Sequence, residues 1–86
     1  MSIVITYSYP TSPLAAKLGY GRVGCYNVVN VLTRQHQSFG GYPAAQQFAA
    51  SQAGKSGVPV IVGFGTVMTP ETAEDLMAAD KILNKI

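Results

Sequence analysis

The chain has 86 residues, of which 48% are hydrophobic and 12% charged, with a net charge of +2 and one cysteine. This length predicts a single domain over residues 1–86 with a modest core, and the apolar balance excludes a disordered chain. A lone cysteine excludes an internal disulfide and a multi-cysteine zinc site, and no apolar run is long enough for a membrane-spanning helix.

Residues 2–9, SIVITYSY, alternate in polarity. Ile3, Ile5, Tyr7 and Tyr9 share one face and Val4, Thr6 and Ser8 the other, which predicts a half-buried strand that Pro10 ends. In TSPLAAKLG, Ser12 is placed to cap a short helix, Pro13 takes its first position and Gly19 lies just past its end. A glycine-rich loop, YGRVG, leads to CYNVVNVLTRQHQ at residues 25–37. Its valines suit a strand. The spacing of Val28, Val29 and Leu32, with Gln35 or His36 beyond, suits a helix that Asn27 would cap. The length of the run favours the helix. Tyr42-Pro43 opens a further helix that propagates through alanines and stops at Gly54 in the C′ position. GKSG is a turn, and VPVIVGFG reads as an apolar strand buried on both faces, its Gly63 and Gly65 admitting a close backbone approach. The last helix spans about 70 to 85. Thr69 caps it, Pro70 and Glu71 suit its first turn, and Lys81 and Lys85 suit its negative end. Leu76, Met77, Leu83 and Ile86 form its apolar stripe, with Ala73 and Ala79 alongside. The expected fold is a small α/β (α+β) domain with two to three strands, three to four helices and a long C-terminal helix packed on the sheet.

Charge is segregated along the chain. Residues 1–70 carry Lys17, Arg22, Arg34 and Lys55 and no acid, whereas all four acids fall between Glu71 and Asp80. Four dispersed cations are a weak nucleic-acid footprint, though a positive body still attracts an acidic partner. An acidic terminal segment and a basic body also suit packing between copies.

Two glycine motifs lack the context that gives them chemistry. AASQAGKS, residues 49–56, fits a relaxed phosphate-binding-loop pattern. That loop needs a strand before it and a helix after it; here a helix pattern precedes and a strand pattern follows. GYGRVG, residues 19–24, has the spacing of a dinucleotide fingerprint, which needs a preceding strand and an acid about 20 residues on. Neither is in place. Cys25 and His36 are the only thiol and imidazole. On one helix they would stand roughly 16 Å apart, too far for a nucleophile and its base. No catalytic, cofactor-binding or metal-ligating residue is expected, and no cofactor.

VPVIVGFGTVMTPETAEDLMAADKIL resembles the seventh strand, loop and helix of the phosphate-binding (β/α)₈ barrels of the tryptophan synthase alpha-chain kind. The similar residues are Val60 to Gly65 and Thr69 to Glu71. In that family the loop after the strand lines a phosphate site. The resemblance covers under a third of the chain, and 86 residues cannot form a barrel. What it implies here is local: a strand, a glycine turn and a capped helix packed back on it.

Low charge with five tyrosines and three phenylalanines points to a surface covered by protein, since interface cores are poor in charge and rich in aromatic residues. The first reading is a non-enzymatic structural or assembly protein acting through protein contacts, such as a small virion or shell component or a homo-oligomer subunit. Its partners would be copies of itself or a larger assembly. The candidate contact residues are Ile3, Ile5, Tyr7, Tyr9, Tyr20, Arg22, Arg34 and Phe64, along the edge of the first strand and around VPVIVGFG. The alternative is a small basic module that binds nucleic acid or another anion through Lys17, Arg22, Arg34 and Lys55, with the tyrosines stacking on bases. The start, MSIVITYSYPTSP, has no basic flank or long apolar run of a secretory signal, so the expected location is cytoplasmic or virion.

Overall fold

The computed structural model describes residues 1–64 and 69–85. In chain order the elements are β1 (Ile3–Ser8), α1 (Pro13–Lys17), β2 (Cys25–Asn30), β3 (His36–Phe39), α2 (Tyr42–Ser56), β4 (Val60–Val62) and α3 (Pro70–Leu83). The strands form one mixed sheet in the order β3-β2-β1-β4. β1 pairs antiparallel with β2 and parallel with β4, and β2 pairs antiparallel with β3. α2 therefore carries the chain across the whole sheet, from the β3 edge to the β4 edge.

Register sorts the side chains onto two faces. Ile5 sits opposite Val28, Tyr7 opposite Tyr26 and Tyr26 opposite Phe39. This face packs under α2, where Ile3, Ile5 and Val28 meet Ala45 and Ala49. Alanines at the contact let the helix backbone approach the sheet, and Phe48 fills the flank against Phe39 with ring centroids 5.4 Å apart. The other face sets Val4 and Val29 against Ala79 and Leu83 of α3, with Leu14 of α1 beside them. Ser12 caps α1 by accepting from the Ala15 amide at 3.2 Å. Thr69 caps α3 by accepting from the Thr72 amide, also at 3.2 Å.

The fold class and the long C-terminal helix packed on the sheet are as expected, but residues 25–37 are not a helix. They form β2 and the start of β3, joined by a turn. Alternation decides this. Tyr26, Val28 and Asn30 face α2, while Cys25, Asn27 and Val29 face α1 and α3, so each set finds a partner only on a two-sided strand. Asn27 is a strand residue, not a cap. Four other boundaries differ. β1 ends at Ser8, leaving Tyr9 outside it and 70% exposed. α2 runs through Gly54 to Ser56 and is capped by Gly57, whose φ of 69° is the left-handed conformation that ends helices. β4 is a three-residue edge strand with Val60 39% exposed, so VPVIVGFG is not buried on both faces. On α3 Met77 is exposed, and Leu76, Ala79, Ile82 and Leu83 make the core contact; Ile86 and Gly65 lie outside the described residues.

Two buried asparagines hold β2 in place. Asn27 donates to Ser8 Oγ at 2.8 Å and Thr6 Oγ1 at 3.3 Å, and accepts from Ser38 Oγ at 2.7 Å and Cys25 Sγ at 3.4 Å. Asn30 donates to Ser56 Oγ at 3.0 Å and Gln52 Oε1 at 3.4 Å on α2, and accepts from the Leu32 and Thr33 amides at 3.0 and 3.2 Å. Each amide thus uses both donors and both lone pairs. Asn27→Ala strands several of these partners inside the fold. It should lower unfolding stability by about 2–3 kcal/mol in a urea titration, a large share of what a domain of this size holds.

Candidate contact surface

The C-terminal end of β1 gathers the aromatic residues. Tyr7 and Tyr26 are cross-strand neighbours with centroids 4.9 Å apart. Tyr9, just past β1, stands edge-on to Tyr7 at 5.1 Å and 86°. Tyr42, the first residue of α2, meets Tyr26 at 5.4 Å. Phe64, two residues past β4, meets both Tyr26 and Tyr42 at 5.8 Å. Five rings from β1, β2, α2 and the segments after β1 and β4 therefore touch in one cluster.

A concavity of about 540 Å³ opens at this end, between Tyr7, Tyr9, Tyr26 and Phe64 on one side and Leu76 and Asp80 of α3 on the other. It lies where the parallel strands β1 and β4 deliver their C-terminal ends, the usual place for a binding crevice in sheets with parallel pairs. Gly63 lets α3 close onto it. A Cβ there would stand 2.6 Å from Leu76 Cδ2 and 3.1 Å from the Ile5 carbonyl oxygen.

The eight sequence candidates divide four ways. Tyr7, Tyr9 and Phe64 belong to the cluster. Tyr20 and Arg22 lie on the turn before β2, at the same end of the sheet; the Tyr20 ring covers Gly40, and Arg22 is exposed. Arg34 lies at the opposite end, on the β2–β3 turn. Ile3 and Ile5 are corrected outright: both are fully buried in the core under α2. The expected contact edge of the first strand is also corrected, because β1 is interior and β4 is the edge. Tyr26 and Tyr42 were missed. Reading residues 25–30 as a strand would have placed Tyr26 beside Tyr7.

At the opposite end, Arg34 and His36 face Lys81 of α3 and Lys85, two residues past its end, across two adjoining grooves of about 390 and 260 Å³ with Leu32 and Ile82 in their walls. Among the described residues no acid lines either groove. Arg34 has a φ of 66° and is the one non-glycine residue at positive φ among those described. Its amide donates to the Asn30 carbonyl at 2.7 Å, so the buried asparagine strand end fixes the turn that presents it. Of the other cations named for anion binding, Lys55 occupies the last turn of α2, with β4 following, so the glycine-lysine-serine stretch has its elements in the inverted order. GYGRVG lies between α1 and β2, with a strand rather than a helix after it.

Cys25 and His36 stand far apart. His36 pairs with Val29, four residues along β2 from Cys25, roughly 13 Å at strand rise. The Cys25 thiol is fully buried and bonded to Asn27. Burial raises its pKa above the ordinary thiol value, with hydrogen bonds to Ser8 and Ser38 pulling the other way. Among the described residues no three His, Cys, Asp or Glu side chains gather as metal ligands, and no helix is long and apolar enough to cross a membrane. Compared with protein families, curated proteins and solved structures, the chain matches none.

A thiol whose folded-state pKa is raised adds stability that is intact below the ordinary thiol pKa of about 8.5 and declines as pH rises through the folded value. Denaturation midpoints should therefore fall with pH above that range, and Cys25→Ala should flatten this slope. Native protein should also react with a disulfide reagent only at its unfolding rate.

Proposed function

We propose that this chain is a non-enzymatic assembly protein that works by contact with copies of itself through the aromatic end of its sheet, as a shell or virion component would. The observation that carries the reading is the five-ring cluster, with Tyr9 70% and Phe64 39% exposed, in a chain with few charges. Tyrosine and phenylalanine supply rigid, amphipathic contact area at low entropic cost, and interface cores favour them over charged residues. Light scattering across concentration should give a mass that is a multiple of 9.1 kDa. The pair Tyr9→Ser and Phe64→Ser should return it to the monomer with its circular dichroism unchanged. A wild-type monomer at every concentration would sink the proposal.

The groove around Arg34 supports a second reading, a small basic module on single-stranded nucleic acid. Arg34 on the β2–β3 turn, Lys81 of α3 and Lys85 just past it line adjoining grooves with no acid among the described lining residues, and Arg34 adopts a conformation that costs a non-glycine residue about 1 kcal/mol. Binding of a labelled oligothymidylate should then weaken with salt at a log–log slope of about −2, as three neutralised phosphates require. Arg34→Gly should lower the affinity and leave the melting temperature equal or higher, because glycine accepts the left-handed φ. Absence of binding at low salt removes this reading.

A further inference from the structure

The concavity at the aromatic end is chemically more selective than an apolar slot. We infer that it is a seat for an arginine side chain, and that Arg22 of a second copy fills it. The inference rests on the reading of the aromatic end as a self-contact. The walls are the rings of Tyr7, Tyr9, Tyr26 and Phe64, one carboxylate, Asp80, stands in the lining, and no Lys, Arg or His takes part. Aromatic faces carry a negative quadrupole and attract cations held over them. A carboxylate in the same cleft adds a charge-assisted partner. The guanidinium group suits both at once, since its plane stacks on a ring while its N–H fork meets the carboxylate, whereas a lysine ammonium is a strongly hydrated point charge.

Position identifies the source of the arginine. Arg22 is exposed on the turn before β2, at the same end of the sheet as the cleft, because Ser8 at the end of β1 pairs with Cys25 at the start of β2. Two copies that meet end to end about a twofold axis use the same patch on both sides. Each then offers its Arg22 to the other's cleft, and the contact is made twice. Asp80 belongs to a chain segment in which all the acids are collected, and Arg22 to one that has none, so the pairing is complementary in charge.

Two measurements test this separately from the assembly reading. In the first, N-acetylarginine methylamide and its neutral isostere N-acetylcitrulline methylamide are titrated against the wild-type chain, following the tyrosine ring resonances by NMR. The arginine compound should shift Tyr7, Tyr9 and Tyr26 and bind about tenfold more tightly than the citrulline compound; Asp80→Asn should reduce the difference and leave the share that the rings supply. Equal binding of the two, or no shift from either, overturns the seat even if the protein is oligomeric. In the second, self-association is measured by light scattering for Arg22→Gln, Asp80→Asn and the double variant. Each single change should weaken it at least about tenfold, and the double should be no weaker than the worse single, because the two residues act as one contact. Arg34→Gln, at the other end of the sheet, should leave it unchanged. Additive losses, or none from Arg22→Gln, overturn Arg22 as the occupant.

Discussion

The rest of the structure depends on two asparagines in one strand being fully hydrogen-bonded while buried. β2 lies inside the sheet with β1 on one side, β3 on the other, α2 above and α1 and α3 below. A carboxamide left without partners in such a place costs more than any single contact returns. Asn27 meets the condition only if Thr6 and Ser8 of β1 and Ser38 of β3 stand beside it. Asn30 meets it only if α2 brings Gln52 and Ser56 over it and the β2–β3 turn folds back on its oxygen. A slip of one residue would turn every side chain of β2 to the opposite face. Both amides would then lose their partners at once, so the polar pairs fix the register that the apolar residues alone leave open.

That register creates the two unlike ends of the molecule. Tyr7 opposite Tyr26 at one end seeds the ring cluster, and the Asn30 turn at the other end holds Arg34 in its left-handed conformation. α3 extends this division. Leu76 and Asp80 reach the aromatic cleft while Lys81 and Lys85 line the grooves beside Arg34. One helix therefore gives an acid to the aromatic end and a cation, Lys81, to the basic end. Glu71 in the first turn and Lys81 in the last suit the dipole of α3, whereas Asp80 in that last turn opposes it.

Much of this was legible in the chain, and the part that was not has a specific cause. β1 showed in its alternation, α1 and α3 in their caps and first-turn prolines, and each is where those signals put it. The segment CYNVVNVLTRQHQ was misread because a two-sided buried strand lacks the polar-apolar alternation that marks a half-buried one. Asn27 and Asn30 look like caps or turn residues until their partners on other elements, 11 to 26 residues away in sequence, are known. A helix at that segment would leave β1 without an antiparallel neighbour and with a free edge. Such an edge would put Ile3 and Ile5 on a contact surface, whereas the sheet buries both in the core. Gly54 was likewise a plausible stop, but the helix passes through it at an exposed position and uses Gly57 instead. The choice between two glycines three residues apart depends on where β4 must begin to pair with Ile3.

The same dependence explains why the candidate surface was half visible. Tyr7, Tyr9 and Phe64 flank apolar strands and attract notice as exposed aromatics. Tyr26 and Tyr42 become part of the surface only through the sheet and the start of α2, and Asp80 joins it through α3, whose Leu76 packs closely over Gly63. A site assembled from β1, β2, β4, α2 and α3 is a property of the packing, and it lasts only as long as the packing does. In a domain with a core this small, loss of the Asn27 bonds would loosen β2. The aromatic end would then disperse before any ring was altered, since Tyr26 is the ring that Tyr7, Tyr42 and Phe64 all touch.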